Sequence, residues 1–533
     1  MSRPHYLLSV EVPLMPDHAM SQAIREAYRR GEEEETMGPL VRVGAGDKPV
    51  GRMGEGHYVI FYDIRGEREV ELSRTLTDRT FCEFPTAGVA VNLATMIEYH
   101  PSLPAQVAFP PPAEVRDTLS EVVSRAGRRQ AIVAESEKAI HVTYFLNGKR
   151  EEPFPGTERV IIESSREVED FDELPQMNVA EVAAATINQL HDPGVDLIIA
   201  NFANLDVVGH IADREAVLQA IAAVDEQVGA VVAAARQAGV VTLVTADHGS
   251  VEKWYYPDGK IDTGHTDSPV PLALVGLPAS LREGGALTDV APTVLELLGL
   301  PAPEAMTGRS LLAGDLPPVT RQRVLLLLVD GWGMATDSAH SLLAQVPTPH
   351  LDALQADNPL TTLIASGEAV GMPEGTVGNS EAGHLHIGAG RVIPSDRLRI
   401  EWALSDGSYR QNPAFLWALS QAREQNVPLH LLGIISFYSS HGSVRYLLDL
   451  LAACAEQGVP EVYIHGLLGR RGERPESGAA YIEDVEAACA RLGVGQVVSV
   501  IGRHWALDRE ERWERVEKAY RLLVEGHGTA VAD

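Results

Sequence analysis

Five short segments carry residues that can hold divalent metal and attack phosphorus. In Asn201-Phe-Ala-Asn-Leu-Asp206-Val-Val-Gly-His210, the acid and the imidazole are four residues apart, a spacing that puts both on one side of a helical turn. Asp247 and His248 are adjacent in Ala-Asp-His-Gly, and His265 follows in Thr-Gly-His-Thr. Asp330 stands in Val-Asp-Gly-Trp-Gly, and Ser380 in Gly-Asn-Ser-Glu-Ala-Gly-His. Oxygen ligands mixed with imidazoles suit Mn2+ or Zn2+ better than a metal that demands soft thiolates. Two such ions balance Asp206, Asp247, Asp330 and a deprotonated Ser380, with His210, His248 and His265 as neutral donors. Coordination lowers the pKa of a bound oxygen, so Ser380 becomes a nucleophile without a histidine base. Each Asp-His pair taken alone also fits a surface ion pair, a cap or a turn.

The elements that must position these residues are short apolar runs. Val195–Ala200 reads as a strand delivering Asn201, and Val240–Thr245 and Val324–Val329 have the length of buried parallel strands. A long Ala- and Val-rich helix is expected from about Glu215 to Gln237 between the first two. The rhythm predicts an α/β sheet covered on both faces, whose strand ends are where open sheets place ligands. Later runs at Leu429–Ile435, Glu461–His465 and Val497–Ile501 read as strands, with helices at Val444–Gln457 and Ile482–Leu492 between them. Asp508–Leu523 reads as one amphipathic helix, and Pro301–Gln322 as a connection.

The 533 residues exceed one ordinary core, so two domains, or three, are expected. A formal net charge of -30 argues against a broad nucleic-acid or anionic-membrane surface. Three cysteines without a Cys-x-x-Cys pair make a disulfide framework or thiolate metal site unexpected. With no uninterrupted apolar stretch in Met1–Pro16 and only strand-length apolar runs elsewhere, a cytoplasmic protein is expected.

Four motifs carry a family resemblance: Val324-Leu-Leu-Leu-Leu-Val-Asp-Gly-Trp-Gly333, Ala365-Ser-Gly-Glu-Ala-Val-Gly-Met-Pro-Glu-Gly375, Gly378-Asn-Ser-Glu-Ala-Gly-His384 and Ile387-Gly-Ala-Gly-Arg391. The chain resembles the cofactor-independent phosphoglycerate mutases of the alkaline-phosphatase-like superfamily. The resemblance implies an α/β metal domain with that fold plus a second, smaller α/β substrate-binding domain. It implies one metal on Asp206, His210 and His265, another on Asp330, Ser380, Asp247 and His248, and phosphorylation of Ser380. Nearly the whole chain is covered in an unfamiliar order. Family members begin with the segment found here near Arg323, run to this chain's end, continue near Asp17 and finish near Leu312. A circular permutant is therefore expected, with residues 112–395 as one metal domain and 1–111 with 396–533 as a discontinuous substrate domain.

A phosphorylated carboxylate needs concentrated cationic donors, and arginine offers bidentate geometry. Arg65 and Arg68 lie three residues apart in Ile-Arg-Gly-Glu-Arg, and Arg503 and Arg509 flank His-Trp-Ala-Leu-Asp. Alone, each pair also fits solvated salt-bridge partners. By the resemblance, Arg65, Arg68, Arg471, Arg503 and Arg509 bind substrate, Lys138 is a catalytic-site lysine reaching toward it, and His441 lies near it. Two departures fall in the same pocket. Where the family has Asp-Gly-Arg-Asp this chain has Gly469-Arg470-Arg471-Gly472, losing an aspartate that handles a substrate hydroxyl proton; and Ser436-Phe-Tyr-Ser-Ser replaces the usual approach to His441.

The resemblance thus implies interconversion of 2- and 3-phosphoglycerate through a phosphoserine, with two divalent ions, Mn2+ or Zn2+, and no diphosphorylated cofactor. It implies a monomer acting on a small phosphorylated carboxylic acid. The departures keep an alternative open: a mutase or phosphatase for another small phosphorylated or phosphonylated carboxylic acid.

Overall fold

Strand-length apolar runs followed by helical ones commit a chain to parallel sheets with helices on both faces. The computed structural model describes residues 19–532 except 113, 166, 167, 169, 257, 315–321, 336, 337, 438 and 470–476. Its strands in chain order are β1 (Leu40–Val43), β2 (Tyr58–Phe61), β3 (Asn92–Ile97), β4 (Ala105–Phe109), β5 (Gln130–Glu135), β6 (Thr157–Ile162), β7 (Leu197–Phe202), β8 (Val241–Thr245), β9 (Val270–Val275), β10 (Ser280–Leu281), β11 (Gly285–Ala286), β12 (Leu312–Ala313), β13 (Val324–Val329), β14 (Leu360–Ile364), β15 (Leu429–Ile434), β16 (Val462–Leu468), β17 (Gln496–Gly502) and β18 (Thr529–Ala532). The chain divides into two units, Met1–Pro111 with Arg399–Asp533, and Pro112–Leu398.

The Pro112–Leu398 unit is built on a sheet of order β11-β14-β9-β8-β13-β7-β5-β6. Its central four strands, β8, β13, β7 and β5, are mutually parallel neighbours, and every residue of each is buried. Apolar side chains on both faces leave no solvent face, which is why these runs are continuous rather than alternating. The helix Arg214–Gln237 begins where Asp213 accepts the Ala216 N–H at 2.9 Å. It buries Val217, Ile221, Val224 and Val228 in the same core. Its length and apolarity would let it cross a membrane, but half of its apolar window is packed inside the unit.

The other unit holds a sheet of order β18-β1-β17-β16-β15-β2-β3-β4, parallel except where β1 runs antiparallel to β17. Alternate residues of each strand face opposite ways. Ile60, Leu431 and Ile464 enter one apolar cluster, and Val59, Phe61, Leu432 and Leu467 enter the other. The helix read at Asp508–Leu523 is shorter than that: it runs from Trp513 to Tyr520 and continues as a π-helical turn, Arg521–Glu525. Asp508 delays its start by accepting the amides of Glu510 at 2.9 Å and Arg512 at 3.0 Å. Glu511, between them, takes a left-handed φ of 55°.

Three imidazoles cross the middle of this sheet. His57 Nδ1 lies 2.9 Å from His430 Nε2, His430 Nδ1 lies 2.9 Å from His465 Nε2, and His465 Nδ1 lies 2.7 Å from Ser499 Oγ. Burial holds His465 at about 3; burial and then the imidazoles of His465 and His57 hold His430 well below the usual value. These rings fold neutral, so the unfolded chain takes up protons first as pH falls. The contribution of His465 is full above about pH 6.5 and is lost progressively from there toward about 3, at up to about 1.4 kcal/mol per pH unit, and His430 and His57, lowered as well, act in the same direction. Melting temperatures at pH 7.5 and 5 are expected to differ more for the native chain than for His465→Gln. Equal differences would contradict this.

Candidate functional site

Four adjacent parallel strands end side by side, and each delivers reactive groups just past its carboxyl end. After β7 the helical turn Asn204–Val207 carries Asp206, and the following turn, Val208–His210, sets His210 Nε2 at 3.3 Å from Asp206 Oδ1. After β8 come Asp247 and His248, after β13 comes Asp330, and after β5 the helix Ser136–Ile140 carries Lys138. Two glycines let these segments close up. A Cβ on Gly331, whose φ is +84°, would stand 2.8 Å from the Asp206 nitrogen, and one on Gly383 would stand 2.7 Å from the Asp247 Cβ.

Ser380 opens the helix Ser380–Ala389. Asn379 caps it by accepting the Ala382 N–H at 2.8 Å, and the helix N-terminus favours negative charge at Ser380. Lys138 Nζ lies 2.7 Å and His248 Nε2 2.9 Å from Ser380 Oγ. The same ammonium reaches Asp206 Oδ2 at 2.6 Å and Asp330 Oδ1 at 2.9 Å. His265 Nε2 is 3.0 Å from Asp206 Oδ1, and His384 Nδ1 is 3.2 Å from Asp247 Oδ2. Asn201 Nδ2 donates to Asp330 Oδ2 at 2.9 Å and approaches His384 Nε2 at 3.0 Å.

Asp206, Asp247 and Asp330 are buried together with a single ammonium. Burial opposes ionisation of Asp206, yet Lys138 and the imidazoles of His210 and His265 hold it well below the usual carboxylate range. Burial likewise opposes Asp247, which His248, His384 and Lys138 nevertheless lower. Asp330 is raised by burial and by the charge of Asp247. Burial would lower Lys138, but Asp330, Asp206 and Asp247 outweigh it and raise it. Asp206 Oδ1 and Asp247 Oδ2 are buried and face ring nitrogens, His265 Nε2 at 3.0 Å and His210 Nε2 at 3.3 Å from the first and His384 Nδ1 at 3.2 Å from the second. Buried carboxylate oxygens facing ring nitrogens fit divalent cations, because such oxygens are costly unless a cation meets them. Two donor groups result, Asp206 with His248 and His265, and Asp247 with Asp330 and His384, each with ligand atoms within 4.8 Å of one another.

The Met1–Pro111 and Arg399–Asp533 unit contains a separate concavity of about 530 Å³ lined by Arg65, Arg68, Arg503, Arg509 and His441 among others. Arg65 sits before the short helix Gly66–Arg68, so the two guanidinium groups leave one turn. Glu67 pairs with both Arg65 Nε at 3.0 Å and Arg509 Nη1 at 3.1 Å, and Glu35 pairs with Arg503 at 3.1 Å. Arg68 donates to the Leu507 carbonyl at 3.2 Å, and its buried Nε has no partner among the described residues. Burial first, then the charges of Arg509, Arg65 and Arg503, lowers its pKa, the signature of cations crowded around an anion site.

Asp206, His210, Asp247, His248, His265, Asp330, Ser380 and Lys138 therefore lie together, and Arg65, Arg68, Arg503, Arg509 and His441 lie together. Lys138 is buried among the carboxylates rather than reaching out toward a ligand. His441 is buried. Arg471 and Gly472 fall outside the described residues. Sequence reasoning missed His384 and Asn201 as members of the cluster. The four-residue offset from Ser380 to His384 repeats that from Asp206 to His210 and carried the signal.

A family model described as the metalloenzyme superfamily matches residues 18–302, and a second, described as the BPG-independent PGAM N-terminus, matches residues 400–533. The chain belongs to the metalloenzyme superfamily. It is similar to the 2,3-bisphosphoglycerate-independent phosphoglycerate mutase of Moorella thermoacetica, 41% identical over 297 residues, covering 55% of this chain and 57% of that protein. It is 42% identical over 295 residues to the protein of the same name from Syntrophotalea carbinolica, covering 54% and 56%. The matched stretch thus spans little more than half the length of these relatives. A crystal structure of Leishmania mexicana phosphoglycerate mutase at low cobalt concentration has a TM-score of 0.36 and 29% identity, covering 51% of this chain and 53% of that one.

Proposed function

We infer that the chain interconverts 2-phosphoglycerate and 3-phosphoglycerate through a phosphoserine at Ser380. The observation that carries this is the Ser380 hydroxyl at a helix N-terminus, held by Lys138 and His248 against three buried carboxylates. One divalent ion would be held by Asp206, His210 and His265 and another by Asp330, Ser380, Asp247 and His248, with His384 beside the latter. When bound, they supply the Lewis acidity that lowers the serine pKa and clamps phosphoryl oxygens. The oxygen-rich second set favours Mn2+ over Zn2+. Ser380 Oγ attacks phosphorus, and Lys138 places its charge beside the equatorial oxygens. Arg65, Arg68, Arg503 and Arg509, with Arg471, hold the substrate carboxylate, and His441 stands beside its hydroxyls. No diphosphorylated cofactor is required, because the phosphoryl group is kept on Ser380. We place the enzyme in the cytoplasm as a monomer.

The order of the two family matches supports a circular permutation, since the model described as an N-terminus matches the last residues of this chain. Incubating the pure protein with Mn2+ and 3-phosphoglycerate is expected to yield 2-phosphoglycerate at enzyme-like turnover. Release of inorganic phosphate alone would sink the mutase reading and leave a phosphatase.

A further inference from the structure

Behind His441 two acids are sealed in the interior. Glu69 and Asp63 are both 0% exposed. Glu69 Oε1 lies 3.1 Å from His441 Nδ1, while Glu69 Oε2 and Asp63 Oδ2 are buried without hydrogen-bond partners among the described residues. Asp63 Oδ1 accepts the Ile434 amide at 2.7 Å. One carboxylate oxygen of each acid and one nitrogen of His441 lie within 4.8 Å of one another. Two carboxyl groups this close and this dry cannot both stay ionised, so the pair keeps at least one proton. Burial raises Asp63 to about 8 against the Ile434 amide, and burial with the charge of Asp63 raises Glu69 well above its usual range. On the other side, burial and then Arg503, Arg65 and Arg68 hold His441 at about 3, a neutral ring. Glu67 and the Tyr99 phenol also face this group.

A neutral imidazole between a protonated acid and a pocket can take a proton at one nitrogen as it gives one from the other. Resting on the mutase reading, we propose that Glu69 is the proton store of the arginine-lined pocket and His441 its conduit, with Asp63 keeping Glu69 protonated. In the first half-reaction the ionised Ser380 Oγ forms its bond to phosphorus and the substrate P–O bond breaks. The freed substrate oxygen takes the Nε2 proton of His441, and Nδ1 takes the Glu69 proton. In the second half the other hydroxyl attacks phosphorus and the serine ester breaks, leaving Ser380 Oγ ionised as it began. That hydroxyl's proton returns through Nε2 while Nδ1 restores Glu69, so no proton or co-reactant is consumed. Asp63, Glu69 and His441 are also a donor set for a divalent ion, but Arg65, Arg68 and Arg503 beside them oppose a further cation.

Glu69→Gln keeps the volume and a hydrogen bond but cannot exchange protons. With the full chain and Mn2+, its kcat on 3-phosphoglycerate is expected to fall about 100-fold, with KM within about threefold and the pH profile flattened. Transfer from p-nitrophenyl phosphate, whose leaving group needs no proton, is expected to stay within about threefold. Asp63→Asn is expected to fold with the same pocket and to shift the alkaline limb of the native profile toward lower pH. An unchanged kcat in Glu69→Gln, a parallel loss on both substrates, or a third bound Mn2+ that disappears in the variant would overturn the proposal. A native enzyme that fails to isomerise 3-phosphoglycerate refutes the mutase reading instead. The dyad is then read from the imidazole 15N shifts of His441, which must change on Glu69→Gln for it to survive.

Discussion

Ser380→Ala is expected to lower isomerase activity by at least about 10⁴-fold and to abolish a phosphorylated form of the protein detectable by intact mass. The change removes one oxygen from a helix N-terminus whose other partners remain: Asn379 still caps the Ala382 amide, and Lys138 still meets Asp206 and Asp330. Folding should therefore survive, since the methyl group fits where the hydroxymethyl sat. If the variant turned over 3-phosphoglycerate at the native rate, the nucleophile would have to be another group, and the arrangement around Ser380 would lose its explanation.

The second large effect concerns stability. Three buried carboxylates with one ammonium repel one another, and this strain is retained at a functional site rather than relieved. Divalent ions that bind only the folded state stabilise it by mass action, about 2.7 kcal/mol for each site at a hundredfold excess over Kd. For a unit of this size, two sites correspond to a rise of about 10 °C in Tm. Calorimetry with and without Mn2+ measures it directly. Asp330→Asn is expected to remove half or more of that rise, because Asp330 sits between Lys138, His248 and Asn201. It should leave the metal-free protein no less stable than the native one, as a like charge has been taken from Asp247. A metal-induced shift of full size in Asp330→Asn would show that the ions bind elsewhere.

Legibility in the sequence follows locality. The runs at Val324–Val329 and Val241–Thr245 are legible because a buried parallel strand is continuously apolar and its carboxyl end is marked by the first acid, Asp330 or Asp247. The pairing of Asp206 with His210 is legible because a helical turn fixes it. The late start of the helix at Trp513 was not, since it depends on Asp508 engaging two amides ahead of it. Glu69 and Asp63 were invisible for a different reason. In Phe61-Tyr-Asp-Ile-Arg-Gly-Glu-Arg-Glu they read as ordinary solvated acids among arginines. Only the fold brings His441, more than 370 positions away, against Glu69.

The strand order of the first sheet has a consequence for biosynthesis. β1 to β4 leave the ribosome first and β2, β3 and β4 can pair with one another, yet the other edge of β2 finds its neighbour only when β15 has been made, and β1 finds its neighbours only with β17 and β18. Residues 112–398, by contrast, have all their sheet partners in one uninterrupted stretch. The nascent chain should thus complete its middle first, while roughly a hundred emerged residues wait with unpaired edges for chaperone protection.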